Sequence, residues 1–252
     1  MTTLTEFISF LDEVTMQKDI ADYKTAYNGL QCENETKKVS KIACAVDAGL
    51  YEIEEAIRIG ADILLVHHGM FWQAPLPITK LNYKKISSML KGNLALYSCH
   101  LPVDANMDFG NNISIARALG LEVIENCFDF VGTKIGVLCK ANCSRSELAL
   151  KLQKLFPNTY KALEFGSENP SKIAICSGGA GDCIDLLESI DCDTYITGEI
   201  KEEYFIKTRD NNYNVYPCGH YATEVFGIHN LGKKAAEKFG LECEFITTNN
   251  II

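Results

Sequence analysis

At 252 residues, 47% of them apolar and 23% charged, the chain can bury a substantial core as one large domain or two small ones. A formal net charge of −9 argues against general binding to DNA or RNA, which calls for a basic patch, but leaves an anionic small substrate open if bound cations dominate the local field. No apolar run approaches the roughly 18 to 20 residues that span a bilayer, and the start Met1-Thr2-Thr3-Leu4-Thr5-Glu6 lacks the features of a signal peptide, so a cytoplasmic protein without membrane partners is expected.

Leu4–Val14 is an amphipathic stretch, and from there strand and helix signals alternate in the manner of an α/β fold. Lys41–Val46 reads as a strand, Tyr51–Ile59 as a helix stopped by Gly60, and Asp62–Val66 as the next strand. Tyr83–Leu90 reads as a helix, Leu94–Cys99 as a strand and Asn112–Leu119 as a helix stopped by Gly120, which completes a doubly wound half. A new series begins near Phe128–Val131, with strand 134–139, helix 145–155, strands 159–164 and 172–176, and helix 182–189. Strand Thr194–Thr197, a helix over 201–208 and the run Asn214–Cys218 lead into a last helix from about His220 through Phe226, Leu231 and Ala235.

Three of these strands end in clusters of histidine and carboxylate. His67 and His68 follow Ile63-Leu64-Leu65-Val66, His100 and Asp104 follow Leu94–Cys99, and His220 and Glu224 follow Asn214–Cys218. Ligands of open α/β sheets bind beyond the carboxyl ends of the strands, so three strand ends can converge on one place. Five donors stand out: His67, His68, Asp104, His220 and Glu224, a mixture of imidazole nitrogen and carboxylate oxygen that suits zinc, iron, manganese or nickel. No such cluster falls in the middle series, and the C-terminal part must return to the site. The expected fold is therefore two α/β domains, the second inserted into the first. Residues 1–125 and 194–252 form the discontinuous metal-binding domain and 126–193 the smaller insert, with the metal site at strand C-terminal ends.

Each motif also has a plainer structural reading. Neighbouring strand residues face opposite ways, but at a strand end followed by Gly69 both His67 and His68 can reach one cavity, or serve two adjacent ions; otherwise one packs and the other is solvated. His220 and Glu224 share a helical face at i, i+4, or else His220 caps the helix and Glu224 is a solvated acid near its N-terminus. Pro102 is expected to hold its segment extended and place Asp104 away from the strand, where aspartate is more often a turn or cap residue. His100 is open to three roles: orienting a ligand or water, donating a proton, or packing in the core. Glu199, in Thr197-Gly198-Glu199, is a candidate acid behind the site, and His229 reads as structural. Ser177–Gly181 could offer amides to a phosphate, but it fits no phosphate-loop pattern and reads as a glycine turn before a helix capped by Asp182. Eleven irregularly spaced cysteines read as reduced, mostly buried thiols, Cys139 and Cys143 included.

Leu65-Val66-His67-His68-Gly69, His100-Leu101-Pro102-Val103-Asp104 with Gly110-Asn111-Asn112, Thr197-Gly198-Glu199 and Gly219-His220-Tyr221-Ala222-Thr223-Glu224 together resemble the NIF-three-like family, whose bacterial members are labelled GTP cyclohydrolase 1 type 2 homologs. The resemblance covers essentially the whole chain in order. It implies a two-domain α/β protein with a dinuclear metal site, a toroidal homohexamer, and hydrolytic opening of the imidazole ring of GTP. The family's ligand pattern falls on the same five residues. One departure is Asn106, where bacterial members often carry histidine.

The leading expectation is a metal-dependent hydrolase acting on a nucleotide or related small molecule. Two divalent ions about 3.5 to 4 Å apart, bridged by Glu224, would activate water, with His100 or Glu199 moving the proton. The alternative is a non-enzymatic metal-binding carrier, storage or regulatory protein.

Overall fold

The computed structural model describes residues 1–72, 77–248, 250 and 251. The chain opens with β1 (Thr2–Thr3), α1 (Leu4–Val14), β2 (Gly29–Cys32), β3 (Lys38–Val39), β4 (Lys41–Asp47), α2 (Leu50–Arg58), β5 (Ile63–His68), α3 (Lys80–Gly92) and β6 (Ala95–Ser98). The short α4 (Leu101–Asp104), α5 (Asn111–Leu119), β7 (Glu122–Phe130), β8 (Thr133–Lys140), α6 (Arg145–Leu155), β9 (Leu163–Glu164) and β10 (Lys172–Cys176) come next. Two 3₁₀ segments, Gly181–Leu186 and Glu188–Ile190, precede β11 (Thr194–Thr197), α7 (Glu203–Asp210), β12 (Asn214–Pro217), α8 (His220–Phe239) and β13 (Glu242–Phe245).

These elements form two compact units: Met1–Val103 with Gly227–Thr248 (unit 1), and Asp104–Phe226 with Asn249–Ile252 (unit 2). The divisions fall at 103/104 and 226/227, whereas the sequence places them near 126 and 193. Hydrogen bonding explains the difference, because β10, β11 and β12 join β7 and β8 in one sheet. Helix α5, upstream of all of them, adds Ile115, Ala116 and Leu119 to the core of that same unit.

In unit 1 a five-stranded sheet has the order β13-β4-β5-β6-β2, parallel throughout except for the antiparallel edge strand β2. The uninterrupted apolar run of β5 reflects a strand covered on both faces: Ile63, Leu64, Leu65 and Val66 have no exposed surface. On one face Leu64 and Val66 pack with Ala43, Ile53, Met89 and Leu96. Helix α1 starts with a capping box between Thr3 and Glu6 and buries Leu4, Phe7 and Leu11 along one stripe. The sequence reading missed β2 and β13, since Glu242-Cys243-Glu244-Phe245 is too short and half charged to announce a strand. Partners made it one: β13 pairs with β4 from Lys41 to Cys44.

In unit 2 a mixed six-stranded sheet has the order β7-β8-β10-β11-β12-β9, with only β10, β11 and β12 mutually parallel. The expected helix over 182–189 is two 3₁₀ segments instead. Ile184, Leu187 and Ile190 recur at i+3, the spacing that eclipses on a 3₁₀ helix, and all three pack into the unit 2 core. Pro102 does not hold an extended segment: it lies in α4, where a first-turn residue needs no N–H donor. Among the described residues no helix is long and apolar enough to cross a membrane. All eleven cysteines are free thiols; Cys139 is fully buried in β8, and Cys143 packs beside the same core.

Candidate metal centre

In unit 1 the parallel strands β4, β5 and β6 stop side by side, with Asp47 paired to His68 and Val66 to Ser98. Strand β5 runs through both histidines rather than stopping at Val66. The pleat therefore sends their side chains to opposite faces, yet the two rings lie with centroids 4.7 Å apart and tilted by 46°. His100, just past β6, brings a third ring to 4.9 Å from His67 and 5.7 Å from His68. One ring nitrogen from each of the three lies within 4.8 Å of the others.

Each of these imidazoles is anchored at Nδ1. His67 Nδ1 is 3.0 Å from the Cys99 carbonyl, His68 Nδ1 is 2.9 Å from Asp47 Oδ1, and His100 Nδ1 is 2.9 Å from Asp22 Oδ1. A carbonyl or carboxylate oxygen only accepts, so Nδ1 carries the hydrogen and donates it; in the neutral ring Nε2 keeps the lone pair. This is the arrangement found behind metal-ligating histidines. The Asp22 side chain is only 8% exposed and collects the Tyr23 amide (2.7 Å), Asn28 Nδ2 (2.7 Å) and the Leu101 amide (3.0 Å) besides His100. Burial pushes its carboxyl up, but the His100 hydrogen bond and charge, with Asn28 and Tyr23, outweigh that and hold it below the usual aspartate range.

In unit 2, β10, β11 and β12 also end in register, with Cys176 opposite Thr197 and Thr197 opposite Pro217. The residues that follow carry the chemistry: Ser177-Gly178, Gly198-Glu199 and Gly219-His220. Gly178 is pinned through its amide to Thr223 Oγ1 (3.0 Å) and through its carbonyl to the Glu199 amide (3.0 Å). Its φ of +67° suits glycine, and a Cβ there would sit 2.1 Å from Glu224 Oε1. The Ser177–Gly181 segment is thus a turn whose glycine lets Glu224 approach the backbone.

His220, first residue of α8, does not act as a plain cap. Its Nδ1 lies 3.0 Å from Glu199 Oε1 and its Nε2 lies 3.2 Å from Glu224 Oε1. Burial lowers the imidazole pKa, but hydrogen bonds and charges from Glu224 and Glu199 prevail and raise it to about 9. Glu224 is only 3% exposed, unlike a solvated helix-start acid. Asp104 is buried as well, and its Oδ1 accepts from Asn111 Nδ2 (2.8 Å) and Ser177 Oγ (3.1 Å). Glu199 also lines a cavity of about 430 Å³ with Lys161, Leu163, Phe205 and Pro217, a volume suited to a small molecule.

Unit 1 thus gathers His67, His68 and His100, while in unit 2 His220 joins Glu199 and Glu224, and Asp104 is held apart by Asn111 and Ser177. His229 packs on Phe245 with ring centroids 4.9 Å apart. Asn106 opens a turn, its Oδ1 accepting from the amides of Asp108 (2.9 Å) and Phe109 (3.0 Å). Sequence reasoning missed Asp22, Asp47, Asn111 and Ser177. Asp47 had a signal, an acid directly after the apolar run Lys41–Val46; Asp22, in a loop without periodicity, had none. The donor set of imidazoles and buried carboxylates, with Nδ1 anchors already made in unit 1, fits a divalent first-row metal.

The fold and these clusters define a mixed α/β protein carrying histidine and carboxylate side chains at the carboxyl ends of parallel strands. The family profile described as Duf34/NIF3 (NGG1p interacting factor 3) matches residues 2–251, and the chain belongs to that family. A relative from Deinococcus radiodurans, named GTP cyclohydrolase 1 type 2 homolog, is 37% identical over 87% of this chain and 84% of its own. One of the same name from Archaeoglobus fulgidus is 36% identical over 96% and 97%. The solved structure of "protein ybgI, unknown function" superposes with a TM-score of 0.92 at 30% identity, covering 100% of both chains.

Proposed function

We propose that the protein binds two divalent metal ions through His67, His68, Asp104, His220 and Glu224, with Glu224 as the bridge, and hydrolyses a nucleotide or related small molecule. The observation that carries this reading is the Nδ1 anchoring of His67 and His68, which leaves Nε2 as the donor atom on each ring. When bound, such ions supply Lewis-acid polarisation and activate water near neutral pH. The chain's own residues do the rest. Asp47 and the Cys99 carbonyl orient the two histidines, Ser177 and Asn111 orient Asp104, and Glu199 orients His220. His100 accepts or returns a proton at Nε2. The name of the relatives makes GTP the first substrate to try.

The test is metal content per chain by plasma mass spectrometry on protein purified without chelator. Close to two equivalents are expected, falling sharply in both His67→Ala and Glu224→Ala. Little metal in the parent protein, not restored by zinc, iron or manganese, overturns the reading. Stable metal without turnover of nucleotides, phosphoesters or cyclic amides leaves a metal carrier or regulatory protein. Glu224→Ala should lose metal and turnover together. The toroidal homohexamer is part of the same proposal, and light scattering decides it.

A further inference from the structure

We propose that Asp22 is the positioning residue that makes His100 an acceptor at Nε2, by holding its Nδ1–H. The inference deepens the proposed function, because it assigns which direction a hydrogen bond from water or substrate runs at His100.

Four donors meet the Asp22 carboxylate, two on each oxygen. Oδ1 takes the Tyr23 amide and His100 Nδ1, while Oδ2 takes Asn28 Nδ2 and the Leu101 amide. The assembly is closed by the His100 amide, which donates to Asn28 Oδ1 at 2.8 Å. His100 is thus held through both its backbone and its ring by one loop, and Trp72 stands against the ring at 4.5 Å, nearly perpendicular at 85°. A ring fixed in this way has one tautomer. Asp22 can only accept, so the hydrogen stays on Nδ1 and the lone pair stays on Nε2, the one nitrogen left to face the His67 and His68 rings. The arrangement is that of a buried carboxylate that orients an imidazole and sets its tautomer without itself exchanging the proton.

The same geometry predicts what Asp22→Asn does. Placing the new NH₂ group on the Oδ2 side sets it against the Leu101 amide and Asn28 Nδ2, and turning Asn28 to accept breaks its bond to the His100 amide. Placing it on the Oδ1 side sacrifices the Tyr23 contact alone, because His100 can answer by moving its hydrogen to Nε2. The amide introduced by Asp22→Asn would therefore donate to a bare Nδ1, and Nε2 would become a donor.

The experiment is long-range ¹H–¹⁵N correlation of histidine-labelled full-length protein, as purified and after dialysis against chelator, with His100→Gln to assign the ring. The parent protein should show the Nδ1–H tautomer of His100, and Asp22→Asn should show the Nε2–H tautomer, each in excess by about tenfold or more, as expected for a charge-assisted or geometrically forced hydrogen bond. A merely structural Asp22 would leave the tautomer unchanged in the variant, and that result overturns the proposal. An Nε2–H ring in the parent protein overturns it without any variant, even if Asp22→Asn does not fold. The chelated sample is read independently of metal content, so failure here is distinct from failure of the two-ion reading.

Discussion

The two clusters solve the same problem in opposite ways. In unit 1 three imidazoles crowd together, and each commits its Nδ1–H to Cys99, Asp47 or Asp22, which leaves Nε2 as the nitrogen that turns to the shared space. In unit 2 one imidazole sits between two carboxylates, and charge dominates, holding His220 up at about 9. On the proposed two-ion reading, unit 1 presents its ring nitrogens in advance, whereas in unit 2 a proton held between His220 and Glu224 would have to leave before a cation could take both groups. The lesson is that donor identity alone says little; the atoms behind each donor decide what it offers.

The largest effect should come from unit 2 at Gly178. Gly178→Ala puts a side chain at φ +67° and a Cβ at 2.1 Å from Glu224 Oε1, so Glu224 must move. Bound metal should fall to the level of Glu224→Ala, and a urea melt should show a loss of more than about 1–2 kcal/mol, the cost of the left-handed backbone alone. If metal is retained, Glu224 is not a ligand and the contrast between the units fails. Next come the groups behind the donors. Asp47→Ala in unit 1 and Glu199→Ala in unit 2 should each weaken metal affinity by about 10–100-fold in competition with a chelating dye. Unequal losses would sharpen the comparison by showing which unit depends more on its anchors.

Smaller still is Ser177→Ala, which removes a donor to Asp104 Oδ1 while Asn111 stays, and should cost about 0.5–1.5 kcal/mol in chemical denaturation. Gly69→Ala, the counterpart of Gly178→Ala beside the unit 1 histidines, should be the mildest for metal binding. Its Cβ displaces the end of the Gln31 side chain, which gives up its bonds to the Met70 amide and the Tyr27 carbonyl, so a stability loss of about 1 kcal/mol with full metal content is expected. A large loss there would mean that unit 1 is as tightly packed around its donors as unit 2.

Much of this was legible in the chain itself. Apolar runs such as Ile63–Val66 and Leu94–Cys99 gave the central parallel strands because both faces are buried, and buried parallel strands need no alternation. The seven candidate site residues stand within a few positions of the ends of such runs, which is what marked them as candidates. Short or charged elements were not: β13 and β2 exist through the strands they pair with, and the helical turn at Pro102 follows from a local hydrogen-bonding exemption that the extended reading overlooked.

What the sequence determined by itself was the kind of fold, the strand ends and the donor types, since these follow from hydrophobic period and residue chemistry over a few neighbouring positions. What only the tertiary structure decided was the partner of each donor and the extent of each unit. Asp22 reaches His100 across 78 positions and Ser177 reaches Asp104 across 73, while β10 to β12 join their unit by pairing with strands set far earlier in the chain. Such contacts leave no periodic trace, because a hydrogen bond between distant loops constrains two residues and nothing between them.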